Sequence, residues 1–231
     1  MDHDPVSGAM WYGAFLFSTV CHEASHAWVA SRLGDATAEK GGQVTLNPIP
    51  HIRREPFGMV VVPLLSWYIG GWIIGWASAP YNLAWARQYP RRAALMALAG
   101  PATNLALALA AGLLIRLGYE WGVFGAPFSL GMARLAESPD GGIMGLAAQL
   151  LSIFLSLNLL LCLFNMIPLP PLDGSNAPLL LLPPGAAKKY SDVLSHPILR
   201  YAGILIASRL IPPILPKLLP VVTGVLYASS H

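Results

Sequence analysis

His22 and His26 stand four residues apart in the mostly apolar run from Trp11 to Ala30, with Glu23 directly after the first of them. The apolar flanks predict a helix. On a helix, residues four apart lie one above the other on the same face, so both imidazoles can reach a single metal ion. Glu23 sits beside that face, close enough to take a proton from a water held there. Two His ligands and a Glu general base on one helix are the parts of a zinc peptidase. The same five-residue pattern occurs by chance in soluble proteins. Here, however, Glu23 lies in apolar sequence of membrane length, where a carboxylate costs about 2.5–3.5 kcal/mol on insertion scales. A residue at that cost has a function or a partner.

A catalytic zinc ion takes three protein ligands and leaves one position open. Of eleven acidic residues, only Glu23 and Asp173 lie well inside apolar sequence. Asp173 is therefore the candidate third ligand, freed to turn by Pro168, Pro170 and Pro171 before it. The competing reading makes Asp173 a helix N-cap, since Asp-Gly after prolines is ordinary turn chemistry. Asn104, polar at membrane depth, can bond across helices or face the site.

The chain around these residues has 231 residues, 55% hydrophobic and 11% charged, with a mean hydropathy of +0.56. A soluble domain carries about 25% charged residues. The composition is that of an integral membrane protein, and membrane spans close their backbone hydrogen bonds internally, so the expected fold class is all-α and polytopic. A single domain over residues 1–231 is expected, with about four to six transmembrane helices and a short β or re-entrant segment after the first. The net charge of +3 is spread over loops and forms no nucleic-acid patch. No Lys/Arg-rich leader precedes the first apolar run. Cys21 and Cys162 both lie in apolar segments and read as core residues.

Helix 1 is expected from Ser7 to Leu33, stopped by Gly34-Asp35. Residues 36–56 read as a short strand or hairpin at Gln43–Leu46, where Val44 and Leu46 alternate with polar neighbours, then a Pro-rich turn. Such an edge could receive a peptide as an added strand; an ordinary surface loop is the alternative. Residues 57–86 carry no charge but are broken at Pro63, Gly70-Gly71 and Pro80. Ala93–Ile115 and the segment from Gly141 to about Phe164 read as spans. The last apolar region, 197–230, contains Pro212, Pro213, Pro216 and Pro220 and reads as one kinked helix or two short ones.

The chain resembles the site-2 protease family of intramembrane zinc metalloproteases, in its compact prokaryotic branch. The resemblance rests on His22-Glu23-Ala24-Ser25-His26, Asn47-Pro48-Ile49-Pro50-His51, Ala99-Gly100-Pro101 with Asn104, and Asn165 eight residues before Asp173 in Asn-Met-Ile-Pro-Leu-Pro-Pro-Leu-Asp-Gly. It departs after His51, where relatives carry an Ile-Asp-Pro run and this chain has Ile52-Arg53-Arg54-Glu55-Pro56. The resemblance implies one Zn2+ held by His22, His26 and Asp173, water activated by Glu23, and Asn165, Asn104 and His51 as candidates for substrate or oxyanion contacts. It implies cleavage of transmembrane protein segments within the lipid bilayer of a prokaryotic cell, with no nucleic-acid partner; oligomeric state is left open. The rivals are a membrane zinc carrier or sensor, which has no need of Glu23, and a non-catalytic membrane scaffold, which could lose a ligand or the base.

Topology follows from two independent arguments. For His22, His26 and Asp173 to meet, the helices before them must run in the same direction, so 57–86 should enter and leave on one side. Ten Lys/Arg then share one face (Arg32, Lys40, Arg53, Arg54, Arg87, Arg91, Arg92, Lys188, Lys189 and Arg200) against Arg134 and bordering Arg116 on the other. The positive-inside rule puts that basic face, and the site, toward the cytoplasm.

Overall fold

A computed structural model describes residues 4–194 and 196–228; Met1-Asp2-His3, where a leader would begin, lie outside the described residues. Helix α1 spans Pro5–Arg32, starting where the Asp4 carboxylate accepts from the amides of Val6 and Ser7 with Pro5 at the first helical position. It ends ahead of Gly34, whose φ of 105° suits glycine alone. Helix α6, Pro90–Glu120, packs against both α1 and α7, Gly142–Asn165, which also touch each other. Its buried stripe is Ala93, Ala97, Gly100, Asn104, Ala108, Ala111, Ile115 and Gly118, a three-to-four residue repeat of mostly small side chains, while Leu105, Leu109 and Leu113 face outward. Small residues let helix backbones approach closely in lipid, where there is no water to drive association.

Cross-helix contacts fix the directions. Gln149 near the start of α7 bonds Ser7 near the start of α1, and Asn158 bonds Ser18 further along both. The two helices therefore run parallel, and α6 runs against them. The Asp173 end of α7 thus returns to the level of His22 and His26.

The expected strand at Gln43–Leu46 does not form. Residues 36–56 hold two short helices instead, α2 at Thr37–Lys40 and α3 at Pro48–Arg54. Asn47 caps α3 through the Ile49 amide, 3.0 Å, with Pro48 next. Residues 43–46 form the bend between the two helices, the loop alternative, because their short alternation has no second strand to pair with. Among the described residues there is no strand, only isolated bridges Gly125–Glu137 and Gly131–Arg134.

Residues 57–78 double back on themselves. A π-helical turn at Phe57–Val61 leads into α4, Val62–Gly70, which ends at Gly71 in the left-handed region. The chain then returns extended. The Trp76 amide donates to Gly58 O at 3.0 Å, and Ser78 Oγ donates to Glu55. The outgoing arm lies along the first half of α1, with the Tyr12 hydroxyl donating to Met59 O at 3.1 Å and the Trp67 indole against Gly8.

Asp35 locks the other end of α1 to α5, Leu83–Gln88: its carboxylate accepts from Thr37 and from the Asn82 amide, 2.7 Å. Burial pushes this carboxyl up, but the hydrogen bonds from Thr37 and Asn82 outweigh it and hold it below the usual carboxylate range. Helix α8, Pro184–Leu194, lays Ala187 and Tyr190 on Ala94 of α6. Helix α9, Pro197–Leu226, is one helix bent by 48° between Ala202–Leu210 and Pro213–Leu226, and Pro213 at the bend has no N–H to give to the ladder.

Among the described residues, α6 and α7 are long and apolar enough to cross a membrane, and the bent α9 would make a third. The chain is an all-α membrane protein, but four to six such helices are not found by that measure. Helix α1 has 28 residues, and its charged and polar motif residues, with Arg32 at its end, lower its apolarity.

Candidate metal centre

The two histidines of α1 meet as their spacing predicts. Both are buried, and their Nε2 atoms are 2.9 Å apart. Asp173 completes the convergence: its Oδ2 stands 3.1 Å from His22 Nε2 and 3.3 Å from His26 Nε2. Asp173 begins a 3-10 segment, Asp173–Leu180, but its side chain caps no amide there. The N-cap alternative is therefore not realised. Glu23 is buried as well, with its carboxylate within 4.8 Å of both imidazoles' ligand atoms. Of the two carboxylates, Asp173 touches the ring nitrogens and Glu23 stands back.

Each imidazole is held from behind. His22 Nδ1 faces Asn104 Oδ1 at 2.6 Å, and His26 Nδ1 faces the Met96 carbonyl at 2.8 Å. A carbonyl only accepts, so both Nδ1 atoms carry the proton and both Nε2 atoms present a lone pair. Two lone pairs and a carboxylate oxygen this close repel one another unless a cation or a proton lies between them. Tetrahedral zinc with bonds of about 2.0–2.1 Å sets its ligand atoms about 3.3 Å apart, close to the spacing seen. Gly100 of α6 supplies the room: a Cβ there would overlap Nε2 of both histidines. The donor set and the cradle fit one zinc ion.

The outlying candidates are less closely tied to this centre. Asn104 is fully buried with both ends of its amide engaged, Oδ1 with His22 and Nδ2 with Asn158 Oδ1 at 2.9 Å. Its oxygen thus faces His22, and its amide nitrogen faces Asn158. Asn165 is half-buried at the end of α7 and turns its amide nitrogen back to Leu161 O, 3.1 Å. His51 is buried on α3. Its Nε2 donates to Thr45 O at 3.0 Å, and its Nδ1 has no hydrogen-bond partner among the described residues.

Four contributors were not legible as site residues in the sequence: Gly100 as the cradle, the Met96 carbonyl, Asn158 and Ser18. Gly100 left a trace in the Ala99-Gly100-Pro101 run, and Asn158 as an amide in the charge-free run that also holds Asn165.

The model of peptidase family M50 matches residues 11–207. "Putative zinc metalloprotease YwhC" of Bacillus subtilis (strain 168) is 36% identical over 182 residues, covering 78% of this chain and 73% of that protein. "Putative zinc metalloprotease Rip2" is 30% identical over 163 residues in Mycolicibacterium smegmatis and 32% over 168 residues in Mycobacterium tuberculosis H37Rv. Each alignment covers 71% of this chain, which spans about half of either Rip2, 53% and 54%. No solved structure matches the chain.

Proposed function

The chain belongs to peptidase family M50, and on that premise we propose that it is an intramembrane zinc endopeptidase whose metal is held by His22, His26 and Asp173. The observation that carries this reading is the convergence of His22 Nε2, His26 Nε2 and Asp173 Oδ2 within 2.9–3.3 Å of one another, beside the carboxylate of Glu23. A zinc ion there supplies a Lewis acid for the water and for the scissile carbonyl. Glu23 takes the proton of the attacking water and passes it to the leaving amine. Asn104 and the Met96 carbonyl hold the imidazoles in orientation. Asn165, near Asp173 in sequence, and His51, whose Nδ1 has no partner among the described residues, are the candidates to bind substrate backbone. The substrates are transmembrane segments of membrane proteins, since the site is buried among apolar helices; a substrate helix has to unwind to expose a carbonyl. A carrier or scaffold would leave Glu23 without a task.

Quantitative proteomics of membranes from cells carrying the wild-type chain or Glu23→Gln tests the activity. Fragments cut within transmembrane segments should appear with the first and be missing with the second. Identical fragment sets would overturn the reading.

The same proposal places the site toward the cytoplasm and the N-terminus outside. Segments bearing cations meet at the site end: Arg92 donates to Leu33 O at 3.1 Å, Trp85 packs on Ala30, and α8 with Lys188 and Lys189 lies against α6. In this topology residues 57–86 form a re-entrant segment bordering the active site, since irregular backbone at membrane depth has to line protein or a wet cavity. Single cysteines replacing Arg53 and Arg91 should both label from the cytoplasmic side; labelling from opposite sides would show that 57–86 crosses.

A further inference from the structure

We propose that Asn158 is a positioning residue for the metal centre, setting through Asn104 which ring nitrogen His22 presents; this rests on the zinc reading above. The two histidines differ in how they are held. His26 Nδ1 meets a backbone carbonyl, that of Met96, which cannot turn over. His22 Nδ1 meets the side-chain amide of Asn104, which can. Flipped, Asn104 would offer its NH2 to His22 Nδ1, drive the imidazole proton to Nε2, and cancel the lone pair that faces the metal.

The structure prevents that flip from the far side. Asn158 Nδ2 lies 2.9 Å from the Phe154 carbonyl of its own helix and 2.9 Å from Ser18 Oγ of α1. The Phe154 carbonyl only accepts, so the nitrogen end of Asn158 belongs there. Its Oδ1 then faces Asn104 and accepts from Asn104 Nδ2 at 2.9 Å. Asn104 is left with only its oxygen for His22. The direction of every bond in the row thus follows from one backbone carbonyl of α7. Asn104, Asn158 and Ser18 are all fully buried, so no water competes for these bonds. The row also ties the depth and rotation of α6 and α7 to the His-bearing face of α1.

The test uses the purified full-length chain with 15N-labelled histidine. In the metal-free wild type, His22 should carry its proton on Nδ1. Asn158→Leu frees Asn104 to turn, so His22 should shift toward the Nε2–H form while His26 keeps its proton on Nδ1. Zinc should bind about 10–100-fold more weakly, the usual cost of losing a partner behind a ligand. Adding Asn104→Asp to Asn158→Leu should restore zinc binding, because a carboxylate accepts from Nδ1 whichever way it turns; lost packing alone would not be rescued in this way. If Asn158→Leu does not fold, Asn158→Ala takes its place. An unchanged His22 proton position in the variant overturns the relay, whether or not zinc binds. A wild-type chain that takes up no zinc, yet shows the predicted change in His22, overturns the metal reading and leaves the relay standing.

Discussion

Replacing Glu23 by Gln should reduce peptide cleavage by about 10²–10⁴-fold, the span that a positioned general base supplies, and leave the zinc bound. At about 1.36 kcal/mol per decade this is roughly 3–5 kcal/mol of transition-state stabilisation. Gln has nearly the shape of Glu and fills the same buried space, but it cannot take a proton. The metal should stay because the atoms that converge on it come from His22, His26 and Asp173. His22→Ala, His26→Ala and Asp173→Ala should each lose zinc and activity together. Bound zinc and turnover, measured on the same purified samples, separate the two classes. A Glu23→Gln chain that cleaves at the wild-type rate would remove Glu23 from the chemistry. One that loses its zinc would make Glu23 a ligand and reopen the place of Asp173.

Gly100→Ala should weaken zinc binding more than about 100-fold, beyond the usual 10–100-fold cost of disturbing a group behind a ligand. Its methyl group would occupy the point where both imidazole Nε2 atoms now approach α6. To admit it, the histidines must swing away or α1 must draw back from α6, and either movement opens the ligand cluster. The substitution separates this effect from a general loss of stability. Alanine favours a helix interior over glycine by about 1 kcal/mol, so the helix itself gains. Helix content, read in chelator, should therefore hold while zinc affinity falls. Zinc bound as tightly as in the wild type would mean that the metal lies elsewhere than between His22, His26 and Asp173.

The amino-acid sequence by itself determined what depends on local periodicity and composition. The spacing of His22 and His26 sets them on one helical face wherever that helix lies. The scarcity of acids in apolar sequence isolates Asp173 among the carboxylates. The residues that stop α1 and the charge-free runs that became α6 and α7 are equally local. Only the tertiary structure decided what depends on how helices are rotated and at what depth they meet. In the sequence Asn104 can bond across helices or face the site; once α6 is set against α1, its oxygen meets His22. Asn158 and Ser18 are 140 residues apart in the chain, and no local pattern joins them. The role of Gly100 comes from what lies opposite it, both histidine rings, and not from its own conformation. At residues 43–46 local reading failed for a related reason. A strand exists only with a partner, and none stands beside residues 43–46 among the described residues, so they form the bend that leads into α3.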